Sequence, residues 1–85
     1  MAEFVFSQRF LQDVAEWEQQ ASTNERAALT QVLAAVAADP VLPGRSPSFY
    51  DPVVPSYLYR AGPFLVHYRL NPDGSVEFLN LFHRS

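Results

Sequence analysis

The sequence predicts a single α+β domain over residues 1–85, with element order β-α-α-β-β-β, and three stretches carry that prediction. The last third, Tyr57 to Arg84, holds three runs of strand-forming residues separated by Ala61-Gly62-Pro63 and Asn71-Pro72-Asp73-Gly74, the pattern of an antiparallel meander. Ahead of it, two segments place apolar residues at helical spacing, each preceded by a capping serine. Glu3 to Phe6 alternates as a short first strand would, and is expected to lie against the later sheet.

The first helix should start after Ser7, because Phe10, Leu11, Val14, Trp17 and Ala21 recur on one side while Arg9, Gln12, Asp13, Glu16 and Gln19 fall on the other. Ser22-Thr23-Asn24-Glu25 has capping-box spacing, so a second helix should follow after a very tight turn. Its stripe is Leu29, Val32, Leu33 and Val36, with alanines between, and Asp39-Pro40 ends it. Residues 40–56 contain five prolines, so the reading there is a stiff connector without regular structure. Phe49, Tyr50, Val53 and Val54 could pin it to the sheet.

The second turn of the meander sets a register. Pro72 suits the first central position of a type I turn, Asp73 the second, and Gly74 the left-handed residue that follows. Counting outward, Leu70 faces Val76, Arg69 faces Glu77, Tyr68 faces Phe78 and Phe64 faces Phe82. One face then carries Phe64, Val66, Tyr68, Leu70, Val76, Phe78 and Phe82, which helices should cover, with Trp17 meeting Phe78. The other carries Leu65, His67, Arg69, Glu77, Leu79, Leu81 and His83, and a tight turn at Ala61-Gly62 would add Leu58 and Arg60. That open face mixes leucines with most ionisable groups of the segment, which marks it as the working surface.

Composition narrows the function. There is no cysteine, so disulfides, thiol nucleophiles and thiolate metal sites are excluded, and a reducing compartment fits. No signal peptide or membrane-length apolar run is present, and the expectation is a cytoplasmic protein with no membrane partner. Residues 1–39 set two arginines against six acidic groups and residues 40–85 set four against three, so the acid lies in the front half. No phosphate loop, metal-ligand spacing or recognisable serine triad is seen, and no cofactor, metal or small organic group, is expected. Arg60, His67, Arg69, His83 and Arg84 are the one ionisable constellation, able in principle to activate a ribose hydroxyl; an Arg69–Glu77 cross-strand ion pair is the simpler reading.

A short first strand, a helical hairpin, a connector with "PGR", then "YRAGPFLVHYRL", "GSVEFLNL" and a terminal "HR" together resemble the RelE/ParE superfamily of bacterial toxin-antitoxin toxins. The specific part is Tyr59-Arg60, Gly62, Tyr68-Arg69 and His83-Arg84. The resemblance implies a helical hairpin packed on a four-stranded antiparallel sheet whose open face works, an antitoxin protein as partner, and gyrase or the ribosome as target. It implies Arg60, Arg69, His83 and Arg84 as candidate catalytic residues if the chain cuts messenger RNA. Three departures argue against that ribonuclease activity: Leu65 follows the Gly62 turn where an arginine is usual, the connector has Arg45 but no lysine, and the chain stops at Ser85. The expected function is therefore a toxin acting on a protein, with a non-toxic binding module and a ribosome-dependent endoribonuclease as alternatives. Leu58, Leu65, His67, Leu79 and Leu81 are the expected partner-binding residues.

Overall fold

The computed structural model describes residues 3–41, 43–48 and 53–83. Seven elements follow one another: β1 (Phe4–Phe6), α1 (Gln8–Glu18), α2 (Thr23–Ala38), β2 (Arg45–Ser48), β3 (Ser56–Ala61), β4 (Phe64–Leu70) and β5 (Val76–His83). The α+β class holds, but the sheet has five strands in the order β1-β5-β4-β3-β2, and it is mixed: β1 runs parallel to β5, and the other pairs are antiparallel. This corrects the four-stranded antiparallel expectation. The first strand takes the edge beside the last strand, and the chain leaving the helical hairpin re-enters the sheet at the opposite edge, in β2.

Both helices begin where their caps dictate. Ser7 Oγ accepts from Phe10 N at 3.0 Å, and Ser22 Oγ accepts from Glu25 N while Glu25 Oε1 accepts from Ser22 N, both at 3.1 Å. The tight turn between them is closed by Arg26, whose Nη2 donates to Glu18 O at 2.9 Å, setting a cation at the negative end of α1. Phe10 and Trp17 of α1 and Leu29 and Val36 of α2 are buried against Phe64, Val66, Tyr68, Val76, Phe78 and Leu81. Leu11 departs from its expected place, being 53% exposed. Trp17 meets Phe64 edge-on at 5.3 Å, and Phe78 is packed instead by Phe6 and Phe10.

The connector contains a strand that its prolines hid. Arg45–Ser48 pairs with β3, Arg45 opposite Tyr59 and Ser48 opposite Ser56. Pro47 is tolerated because β2 is the outermost strand and needs a hydrogen-bond donor on one side only. Arg45 fixes this edge through Nη1 to Val41 O at 2.6 Å and through its guanidinium, 5.2 Å from the centroid of the Tyr57 ring. Val53 is exposed and Val54 half-buried, and Phe49 and Tyr50 lie outside the described residues.

The second hairpin turn forms as read, whereas the first lies one residue beyond the expected Ala61-Gly62. Gly62 (φ 59°) and Pro63 join β3 to β4 as a two-residue loop, with positive φ first and proline's fixed negative φ second. At the second turn Gly74 has φ 88°, its N donates to Asn71 O at 2.9 Å, and Asn71 N donates to Ser75 O at 2.9 Å. The register near it is the predicted one, Leu70 opposite Val76, Arg69 opposite Glu77 and Tyr68 opposite Phe78. Beyond that point a β-bulge intervenes. His67 faces Asn80 and Leu65 faces Phe82, so Leu79 is an extra residue and Phe64 faces His83 rather than Phe82.

Candidate functional site

The bulge decides which side chains the open face presents. One inserted residue reverses the facing of everything after it, so Leu81 turns under the helices (4% exposed) and Phe82 turns out (51% exposed). Leu81 therefore does not lie on the open face as expected. Leu79 is also buried, at 7%, although outside the cluster beneath the helices. His83, expected on the open face, is exposed at the end of β5 with its ring 6.4 Å from Trp17. Arg84 lies outside the described residues.

The face that results is built from cross-strand rows. Ser46 and Leu58 with His67 and Asn80 make one row, Arg60 with Leu65 and Phe82 the next, and Ser56 with Arg69 and Glu77 a third. Arg60, Leu65 and Phe82 join Pro63 and His83 around a shallow cavity of about 120 Å³. Arg60 stands exposed at its rim, a cation beside an aromatic floor. Strict alternation along β5 predicts Phe82 in the core; the signal that would place it outside is the bulge, which no residue type in Phe78–Asn80 announces.

His67 and Arg69 are both held by neighbours. Arg69 Nη2 donates to Glu77 Oε1 at 2.7 Å with both side chains about a quarter exposed, the ion pair the cross-strand reading anticipated. His67 is buried at 6%, and its ring nitrogens reach both sides of the face, Nδ1 to Asn80 Oδ1 at 3.1 Å and Nε2 to Ser48 Oγ at 3.2 Å. An amide oxygen only accepts, so Nδ1 carries the proton and Nε2 accepts from the Ser48 hydroxyl. Neither Ser48 nor Asn80 stands out in the sequence, because the strand that carries Ser48 was read as connector.

Two further features belong to the surroundings. On the helix side, Phe4, Phe6, Leu33, Ala34, Ala37 and Phe78 line an apolar groove of about 400 Å³ between β1 and α2. Among the described residues no cluster of His, Cys, Asp and Glu could hold a metal ion, and no helix is long and apolar enough to cross a membrane. No protein-family model matches the chain, and no curated protein matches it.

Proposed function

We propose that this chain is the toxin component of a RelE/ParE-like toxin-antitoxin pair that acts by binding a protein, and that its antitoxin silences it by covering the open sheet face. The observation that carries the reading is the row Arg60, Leu65 and Phe82, which sets an exposed cation beside exposed apolar area on the sheet face away from the described helices. Such a mixture suits a protein partner with an apolar centre and an acidic rim, since arginine's planar fork binds carboxylates while its stem covers apolar surface. The succession of first strand, helical hairpin and meander supports the family part of the proposal.

Binding is favoured over RNA cleavage because Arg69, one of the groups that would have to serve a phosphate, is engaged by Glu77. The chain's acidity also opposes settling on phosphates, whose non-specific affinity comes from their neutralisation. The test is controlled expression in a bacterial host, reading growth together with transcript ends. Growth arrest with intact transcripts, relieved by the product of an adjacent acidic gene, is the expected result. Codon-positioned cuts in messenger RNA would establish the nuclease instead, and unhindered growth at high levels of folded protein would leave the non-toxic binding module.

A further inference from the structure

Ser48, His67 and Asn80 stand in a relay that the partner-binding reading does not use. Ser48 Oγ lies 3.2 Å from His67 Nε2, and the opposite ring nitrogen lies 3.1 Å from Asn80 Oδ1. The residues come from three strands, β2, β4 and β5, and the sheet brings them together: Ser46 and Ser48 share the open face of β2, and His67 is directly opposite Asn80. The roles are complementary. Asn80 holds the imidazole in the tautomer whose Nε2 lone pair points at a hydroxyl, and that hydroxyl belongs to a half-exposed side chain on the outermost strand.

We infer that Ser48 is an activated nucleophile that accepts acyl groups from esters, with His67 as its general base and Asn80 as a positioning residue. In the first step Ser48 Oγ bonds to the ester's acyl carbon while its proton passes to His67 Nε2. The ester C–O bond then breaks, and the departing oxygen leaves with that proton. In the second step a water molecule gives its hydroxyl to the acyl carbon and its proton to His67, the acyl–Ser48 bond breaks, and Ser48 Oγ recovers the proton from Nε2. Nothing but the ester and water is consumed. The site is independent of the toxin reading, since it needs neither an antitoxin nor a cellular target.

The chain carries its own control in Ser46, which sits two residues away on the same face of the same strand, is more exposed, and has Leu58 opposite it. The full chain would be treated with p-nitrophenyl acetate and, separately, with a fluorophosphonate, and modified serines located by peptide mass mapping over time. Ser48 is expected to be labelled at least tenfold faster than Ser46, with release of p-nitrophenol that Ser48→Ala abolishes. His67→Gln, which can accept a hydrogen bond but cannot take the proton, should slow labelling roughly 100-fold or more, the scale of general-base assistance. Asn80→Ala should slow it and Asn80→Asp restore it, a rescue that loss of a merely structural contact would not show. Equal labelling of Ser46 and Ser48 in the unaltered chain would overturn the inference without reference to any variant's folding. So would an unchanged rate in a folded His67→Gln protein.

Discussion

Tyr68 is fully buried, and its hydroxyl donates to Pro40 O at 2.6 Å, tying β4 to the chain just past α2. Burial pushes its phenol from 10.0 up to about 12, against the pull of the nearby Arg45 guanidinium. The sign follows from linkage: the folded value is raised, so the contribution is fully present below pH 10. It is lost as pH rises from 10 towards 12, because the unfolded chain ionises first. Tyr68→Phe should cost about 0.5–1.5 kcal/mol at neutral pH through the lost hydrogen bond. It should also flatten the alkaline limb of stability, and urea titrations of both proteins between pH 8 and 12 read both effects. The phenol's burial was legible in the alternation Phe64, Val66, Tyr68, whereas its acceptor was not, because nothing in the sequence brings Pro40 over the sheet.

At the scale of elements, Asp13 shows what periodicity misses. Helical spacing places it on the outer side of α1, yet Oδ2 accepts from Leu81 N at 3.1 Å while Oδ1 accepts from Arg9 Nε at 3.2 Å. The carboxylate thus ties α1 to β5 beyond the bulge, and Asp13→Ala should destabilise by about 1–3 kcal/mol, measured by thermal or urea unfolding. The turn after β4 behaves in the opposite way, because its chemistry is local and could be read residue by residue. Asp73 Oδ1 accepts from Ser75 N at 2.8 Å and from Ser75 Oγ at 2.6 Å, and these bonds hold its carboxyl below the ordinary 3.8. A depressed value means that the stabilisation is present above pH 4 and fades as pH falls through the lower folded value. Asp73→Ala should therefore melt below the parent protein at pH 7, with a gap that narrows on acidification. Caps and turns were legible because each depends on residues within about four positions. The pairing of β1 with β5, the strand β2 and the bulge were not, because each is decided by a partner far along the chain.

For the whole molecule, the bulge is what separates the half of β5 that holds the domain together from the half that meets the outside. Strict alternation would put Phe82 beneath the helices and Leu79 and Leu81 on the open face; the extra residue exchanges Leu81 and Phe82 and leaves the acidic helical half backing a surface of Leu58, Leu65, Phe82 and Arg60. Adjacent residues of one strand therefore make opposite predictions. Leu81→Glu would place a carboxylate in the buried cluster that holds Phe64, Val66 and Val36, and should leave little folded protein. Phe82→Glu removes an aromatic that is half in solvent, so circular dichroism and melting temperature should stay near the parent's. The same change sets a negative charge beside Arg60 on the face assigned to an acid-rimmed partner, and recovery of that partner in a pull-down should fall by an order of magnitude or more. Full recovery with folded Phe82→Glu would move the partner off this face, and the groove between β1 and α2 would become the place to look. A well-folded Leu81→Glu protein would mean that β5 pairs without its bulge.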